Sequence, residues 1–392
     1  MIYVGIDVAK DKHDCCIFDS DSNNFIERIT IANNADGFNT LLETALKAAG
    51  GDIDSIRVGL ENTGHYHITI FDFLVQHGLN VVSFNPMLTG QCRKRASIRK
   101  TKTDKLDAET IAYMLIEDYP HSNALYHNSE LKSLTRYRFK LISQCSAQKV
   151  SLSRLVHIVF PELAGFVSTV NCVSVYALFS KYPSAKKIAS ARLNTIVKLL
   201  CDASKGRIKA ETAQNIYNAA KRSVGITNTA LELEIRHTIR YIKTIEDDVA
   251  EIDEELNNYL EDADEPLLTL PGIGTVTAAM ILAEVGDFNR FSNPDQLLAY
   301  AGCSPTTYQS GKMYSNHAKM EKRGSRYLRY ALFCVAKAVV RYEPTFMKYY
   351  DKKRSEGKHY YVVISHVMKK LVRVIYHLQT TGETYKTQEI LS

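Results

Sequence analysis

No run of about eighteen apolar residues occurs in the 392-residue chain, so no membrane-crossing helix is expected. A secretory leader is not expected either, because Asp7 and Lys10 interrupt a hydrophobic run that is already too short. Eight cysteines stand at 15, 16, 92, 145, 172, 201, 303 and 334. None forms a C-x-x-C pair, which leaves no zinc site or disulfide framework apparent and fits a reducing cytoplasm. Acidic residues are missing from Phe73 to Thr103, while Arg93, Lys94, Arg95, Arg99, Lys100 and Lys102 crowd the end of that stretch.

The remaining composition is that of a globular protein, 45% hydrophobic and 23% charged, and the length suggests two or three domains. Net charge is only +6, yet it is unevenly spread. A second basic region runs from Lys312 through Lys319, Lys322, Arg323, Arg326 and Arg329, opposed only by Glu321. A third is "KKRSEGKHYY", with Lys352, Lys353, Arg354 and Lys358. An isolated charge run is usually solvated surface. Three of them, spaced by small or polar residues, are the footprint expected for a polyanion such as nucleic acid.

The first third alternates strand-like and helix-like patterns. Ile2–Val8, "HDCCIFD" and "FIERITIA" read as three strands, with "SDSNN" as the turn between the last two. A helical repeat through Phe38, Leu41, Leu42, Ala45 and Leu46 follows, then the strand "SIRVGLEN", a helix closed by Gly78, and the strand "LNVVSF". This order predicts a mixed α/β layer over residues 1–125. Residues 126–264 read as almost all helical. Within them, over about 228–260, Ile235, Ile242, Val249 and Leu256 recur every seven residues, beside Leu231, Ile245, Ile252 and Tyr259 with Thr238 as the polar exception. Such heptads predict a coiled coil, either folded back within the chain or paired between protomers as a dimer or tetramer. Residues 265–392 read as mainly helical. There "PGIG" sits between two helical patterns, and Gly272 and Gly274 could expose backbone N–H groups to a phosphate as in a helix-hairpin-helix. A plain helix–helix turn uses the same residues.

Four carboxylates need an explanation. Asp7 lies among strand residues with no capping role, and a buried carboxylate needs a partner or a metal. Glu61 ends the fourth strand. Asp104 and Asp107, three apart, share one face of the helix they begin. Capping alone would also account for the last two, and Glu61 could cap the helix after it. Together the four fit a single site in which divalent cations relieve their mutual repulsion, the apparatus used to displace oxygens at phosphorus. Mg²⁺ prefers such oxygen ligands.

"YVGIDVAKDKHD", "VGLENTGHYH" and "KTDKLDAETIA" closely resemble the N-terminal domain of the DEDD insertion-sequence transposases, relatives of the Piv DNA invertases. "LPGIGTVTAAMILAEVGD" and "LLAYAGCSPTTYQSGK" are similar to that family's C-terminal transposase domain, in the right order and spacing. The resemblance implies a RuvC-like, ribonuclease-H-type sheet with flanking helices, and Asp7, Glu61, Asp104 and Asp107 as a tetrad for two Mg²⁺ ions, with Mn²⁺ as a substitute. It implies a catalytic serine in the "QSG" motif, at Ser310, and a bacterial, nucleoid-associated recombinase acting on the element's own DNA ends under a structured guide RNA. Ser310 lies in a turn-rich stretch and has no adjacent histidine, so activation through the tetrad would require the two domains to meet over the DNA. Lys312, Arg323 and Arg326 are suited to hold the scissile phosphate.

Three other readings compete. A RuvC-like junction resolvase would use water and leave no protein on its product. A sugar kinase or actin-like ATPase shares the "GIDV" strand, but needs phosphate-binding glycine turns that are missing from the first domain. A binding protein with a decayed site would not need all five residues.

Overall fold

The computed structural model describes residues 1–62, 65–96, 104–119, 122–123, 130–261, 264–305, 309–310, 313–314 and 320–387. The chain divides into two compact units, Met1–Lys132 and Ser133–Ser392.

In the first unit, β1 (Ile2–Val8), β2 (Lys12–Asp19) and β3 (Asn24–Ala32) form an antiparallel meander. Helix α1 (Ala35–Ala48) leads to β4 (Ile56–Glu61), and α2 (His67–Gln76) to β5 (Asn80–Phe84). Then come α3 (Pro86–Ala96), α4 (Asp104–Ile116) and the short β6 (Ser122–Asn123). The sheet order is β3-β2-β1-β4-β5-β6, with β4 parallel to both β1 and β5. An antiparallel meander continued by parallel strands, with helices on both faces, is the ribonuclease-H-type arrangement that the N-terminal motifs imply. Every strand expected from the sequence is present; β6 was not foreseen.

Both faces of the sheet are covered, and the alternation of β1 and β4 sorts their residues between them. Ile2, Val4 and Ile6 join Ile56, Val58 and Leu60 in a core capped by Phe38 and Leu41 of α1 and by Ile70 and Leu74 of α2. The opposite face carries Tyr3, Gly5 and Asp7 on β1, and Arg57, Gly59 and Glu61 on β4. Here α4 sits, its stripe Ala108, Ile111, Ala112 and Leu115 buried at helical spacing. Gly5 pairs with Gly59 across the strands, and both positions lie under the helix. A Cβ on Gly5 would stand 2.1 Å from the Ala108 carbonyl oxygen and 2.7 Å from the Ala112 nitrogen. On Gly59 it would stand 2.9 Å from the Leu115 side chain. Backbone thus rests nearly on backbone at Gly5.

The second unit contains α5 (Glu130–Val159) from Ser133 onward, α6 (Val173–Lys181), α7 (Ala185–Ser190), α8 (Leu193–Ala203), α9 (Ala210–Lys221) and α10 (Thr229–Glu261). After them come α11 (Thr275–Val285), α12 (Pro294–Tyr300), β7 (Gln309–Ser310), β8 (Met313–Tyr314), α13 (Arg326–Tyr342), α14 (Pro344–Ser355) and α15 (Tyr360–Thr381).

The heptad stripe is buried within the chain. Ile235, Ile242, Val249, Leu256, Thr238, Ile245 and Ile252 all face inward. Salt bridges Arg138–Asp253, Lys149–Glu246 and Arg154–Glu234 show α5 running antiparallel beside α10. Tyr259, expected in the seam, is 53% exposed and Leu260 is buried instead. A straight helix drifts about 20° per heptad, so after four repeats the next residue comes round to the stripe.

Gly5→Val should lower the urea midpoint of the full chain by the equivalent of about 3 kcal/mol or more, because the rigid α4 backbone blocks the new side chain. At Gly90, in α3, a Cβ would enter open space, with no neighbouring atom within 4 Å, so Gly90→Ala should leave the midpoint unchanged or slightly raised. Equal midpoints for the two variants would refute the close seat.

Candidate active site

Asp7 and Glu61 lie two residues beyond the paired glycines, hence on the face that α4 covers, at the C-terminal edge of their parallel strands. Both are half-buried. The helix runs back along the sheet, since Ala108 and Ala112 meet Gly5 while Ile111, Met114 and Leu115 pack with Tyr3. Its first turn therefore lies toward the edge that carries Asp7 and Glu61. Asp107 there is buried, 9% exposed, one residue before Ala108. Asp107 extends the sheet-facing stripe at the i−4 position from Ile111. The Asp104 side chain lies outside the described residues. Three of the four expected acids are thus directed to one corner of the sheet.

Their oxygens are a donor set suited to a hard divalent cation. Among the described residues, no three His, Cys, Asp or Glu side chains stand close enough to hold a metal ion. The corner is a shared face rather than a closed coordination shell.

The sequence reading missed a fifth carboxylate there. Asp14 on β2 is the direct cross-strand partner of Asp7, so both side chains project to the same face. It is 6% exposed. The Thr30 hydroxyl donates to its Oδ1, and Lys12 Nζ lies 3.6 Å from its Oδ2. Like charges directly opposite on a sheet repel, and these two contacts hold Asp14 in place. The available signal was its period-two spacing with Cys16 and Phe18, which pack toward α4. On the other face, His13 is fully buried beside Phe38, and its Nδ1 accepts from the Ala9 N–H at 3.3 Å. Burial holds its pKa below the ordinary 6.5, so the ring is neutral and secures the turn just after Asp7.

In the second unit, Ser310 ends β7, paired with Met313 of β8 in a two-stranded hairpin. Its side chain and Lys312 lie outside the described residues. The hairpin's stem is well defined. Pro305 bridges Met320, Glu321 N–H donates to Ser304 O, Lys322 N–H to Gly302 O, and Ser325 N–H to Tyr300 O. Gly302 and Gly324 hold positive φ values of 66° and 127°, and a Cβ on Gly324 would meet Tyr300 O at 2.2 Å. The foot of the stem is tied to Glu284 of α11, a buried carboxylate with a side chain 1% exposed. Arg136 of α5 donates to it from Nε at 2.6 Å and from a terminal nitrogen at 3.1 Å, and the Ser325 hydroxyl at 2.7 Å. Tyr300 donates to the Glu284 carbonyl. Glu284 was not singled out from the sequence, although an acid at the end of "TVTAAMILAEV" is as anomalous as Asp7.

Some of the expected nucleic-acid contacts fall among the described residues. Arg323 is exposed, 4.0 Å from Glu321. Arg326 lies over the rings of Phe139 and Tyr327. The side chains of Arg93, Lys94 and Arg95, and the whole of Arg99, Lys100 and Lys102, lie outside the described residues. The PGIG segment differs from expectation, because a single 3₁₀ turn (Pro266–Thr269) precedes it instead of a helix. Pro271 ends that element after one turn, because it disfavours helical backbone at Leu270, which is extended. Gly272, at φ 101°, is explained by packing, since a Cβ there would stand 2.8 Å from the Val339 nitrogen of α13. Gly274 is exposed at the N-terminus of α11, its own N–H donated to the Thr277 hydroxyl.

Two family models match the chain, a DEDD-type IS110 transposase model over residues 4–161 and one described as transposase IS116/IS110/IS902 family over residues 264–351. The IS117 mini-circle protein of Streptomyces coelicolor is 24% identical over 99% of this chain and 96% of its own length. The pilin gene-inverting protein of Moraxella bovis is 25% identical over 95% and 94%. An IS116 protein of Streptomyces clavuligerus is 27% identical over 91% and 89%. Among solved structures, T. thermophilus RuvC in complex with a Holliday junction substrate is 10% identical, covering 31% of this chain and 99% of its own at a TM-score of 0.23.

Two stability experiments probe these contacts. Arg136→Met strands the buried Glu284 carboxylate and should cost about 3 kcal/mol, whereas Glu284→Gln, which can still accept from Arg136 and Ser325, should cost about 1 kcal/mol. The reverse ranking in urea unfolding would contradict the network. Because the folded pKa of His13 is depressed, its contribution is intact above 6.5 and is lost as pH falls through the folded value. His13→Leu should therefore flatten the decline in unfolding midpoint between pH 7 and pH 5.

Proposed function

Because the chain belongs to the IS110 family of DEDD transposases, we propose that this DNA recombinase cuts and rejoins strands by attack of Ser310 on a phosphodiester. The observation that carries the reading is the shared corner, where Asp7 and Glu61 on parallel strands and Asp107 on α4 are directed to one face. A divalent cation such as Mg²⁺, for which Mn²⁺ is a substitute, would be held by Asp7, Glu61, Asp104 and Asp107, and would lower the cost of charge on the attacking and departing oxygens.

The serine step balances simply. A bond forms between Ser310 Oγ and phosphorus, and the ester bond to one sugar oxygen of the strand breaks. The serine hydroxyl gives up its proton, and the released sugar oxygen takes one up. The number of phosphate ester bonds is unchanged, so reversal onto a new strand end needs no high-energy cofactor. Lys312, Arg323 and Arg326 contribute cations along the segment that carries Ser310, suited to gripping the phosphate. The stem that leads to Ser310 is tied to Glu284 of α11 and continues into α13, a support of the kind that positioning requires. A structured guide RNA and self-association complete the reading, with the Arg93–Lys102 stretch as the RNA contact.

Ser310→Ala should abolish protein–DNA adducts that survive denaturant, and adducts that persist would remove the serine from its role. Cut products with no protein attached, in the unaltered enzyme, would favour water as the nucleophile. Asp7→Ala or Asp104→Ala should reduce cleavage by about a thousandfold or more while DNA binding stays within about twofold. Chelation by EDTA should stop cleavage, and added Mg²⁺ or Mn²⁺ should restore it.

A further inference from the structure

The second unit contains a cavity of about 860 Å³ between the hairpin stem, α13 and α15. That volume suits a ligand of nucleotide size. Its apolar lining joins three aromatic rings, Tyr330 and Phe333 of α13 and Tyr361 at the start of α15, to aliphatic and sulfur-bearing side chains such as Leu298, Met320 and Val362. Lys322, Arg326 and Lys369 also line it, and no described lining residue is acidic. Tyr361 is 62% exposed. It lies nearly parallel to Phe333, at 23° with ring centroids 6.2 Å apart. A large exposed aromatic set in a basic rim marks a binding surface rather than unfinished core.

We propose that this pocket holds an unpaired DNA nucleotide, with its base against Tyr361 and Phe333 and its phosphate facing Lys322 and Arg326. Aromatic faces joined to a cationic groove are the arrangement that recognises single strands, since every base has a stacking face and every link a negative charge. The charge pattern selects this occupant. A polyanion complements a wall with four cations (Arg329 is the fourth) and no described acid, whereas an apolar protein helix would leave those charges without partners. Lys322 and Cys303 belong to the stem that carries Ser310, so the nucleotide would be held at the foot of the hairpin. Arg329 is already spent on that stem, donating to the Ala301 carbonyl at 2.9 Å. Recognition of the phosphate is therefore left to Lys322 and Arg326. Lys369 lies 3.8 Å from Asp295 and is partly neutralised.

This inference rests on the chain's acting on DNA strands, but it is tested by binding alone, whereas the cleavage reading is tested by adducts. The experiment uses the full chain and a single-stranded DNA oligonucleotide carrying one 2-aminopurine, beside the fully paired duplex and an RNA of the same sequence. Stacking should quench the 2-aminopurine emission. Tyr361→Ala should recover the emission and weaken single-strand affinity about five- to a hundredfold, while Tyr361→Phe stays within about twofold and duplex affinity is unchanged. Tyr361 is at the surface, so equal urea midpoints for the three proteins are expected. Equal losses for duplex and single strand, unaltered affinity in Tyr361→Ala, or tighter binding of the RNA would each overturn the proposal. So would a Tyr361→Ala protein that changes its oligomeric state with single-strand affinity intact, since the pocket would then seat a second copy.

Discussion

The contact of α4 with the sheet at Gly5 is the constraint from which the carboxylate corner follows. A helix normally stands off a sheet by the thickness of two side-chain layers. Here the Ala108 carbonyl occupies the space where a Cβ of residue 5 would be, and the helix side of the interface is built from Ala108 and Ala112. The acidic first turn is thereby set against the edge that holds Asp7 and Glu61. A leucine at position 108 or a valine at position 5 would separate the acids without touching any of them. The core on the opposite face, from Ile2, Val4, Ile6 and the β4 residues under α1 and α2, fixes the strands in turn. Depth and register of the corner are thus backbone properties, while its chemistry is in the side chains.

The second unit uses a related economy with charge instead of space. Glu284 is an acid in the interior, and three donors from α5, the stem and α12 converge on its carboxylate and carbonyl. Such a group has few alternative arrangements in a low-dielectric interior. Tyr300 and Ser325, which flank the segment that carries Ser310, are themselves bonded, Ser325 N–H donating to Tyr300 O. The described flanks of that segment, at Tyr300 and Ser325, are therefore joined to one buried acid.

Much of the first unit was legible in the sequence because its strands are short, apolar and punctuated by turn residues. Asp7 was conspicuous because its neighbours are apolar. Asp14 was not, because it stands near the start of the strand "HDCCIFD", beside His13 and the polar "KDK", and only the pairing with Asp7 gives it meaning. The faces of β1 could not be assigned, since a strand covered on both sides offers no polar face to orient it. The register that places Gly5 beside Gly59 is not a local property of either strand. Periodicity found the buried stripe of α10 but said nothing of its partner, because a heptad identifies a face and not what covers it. Glycine at 272 was read as exposing backbone to a ligand when it admits the backbone of α13. Close approach has the same sequence requirement whichever molecule approaches.

The antiparallel ladder between α5 and α10 has an implication for assembly. Its three rungs place bases on α5 and acids on α10. If α10 were to exchange its neighbour for the same helix of another subunit, Glu234, Glu246 and Asp253 would forfeit Arg154, Lys149 and Arg138. Complementary charge thus makes the helix prefer an unlike companion to a replica of itself.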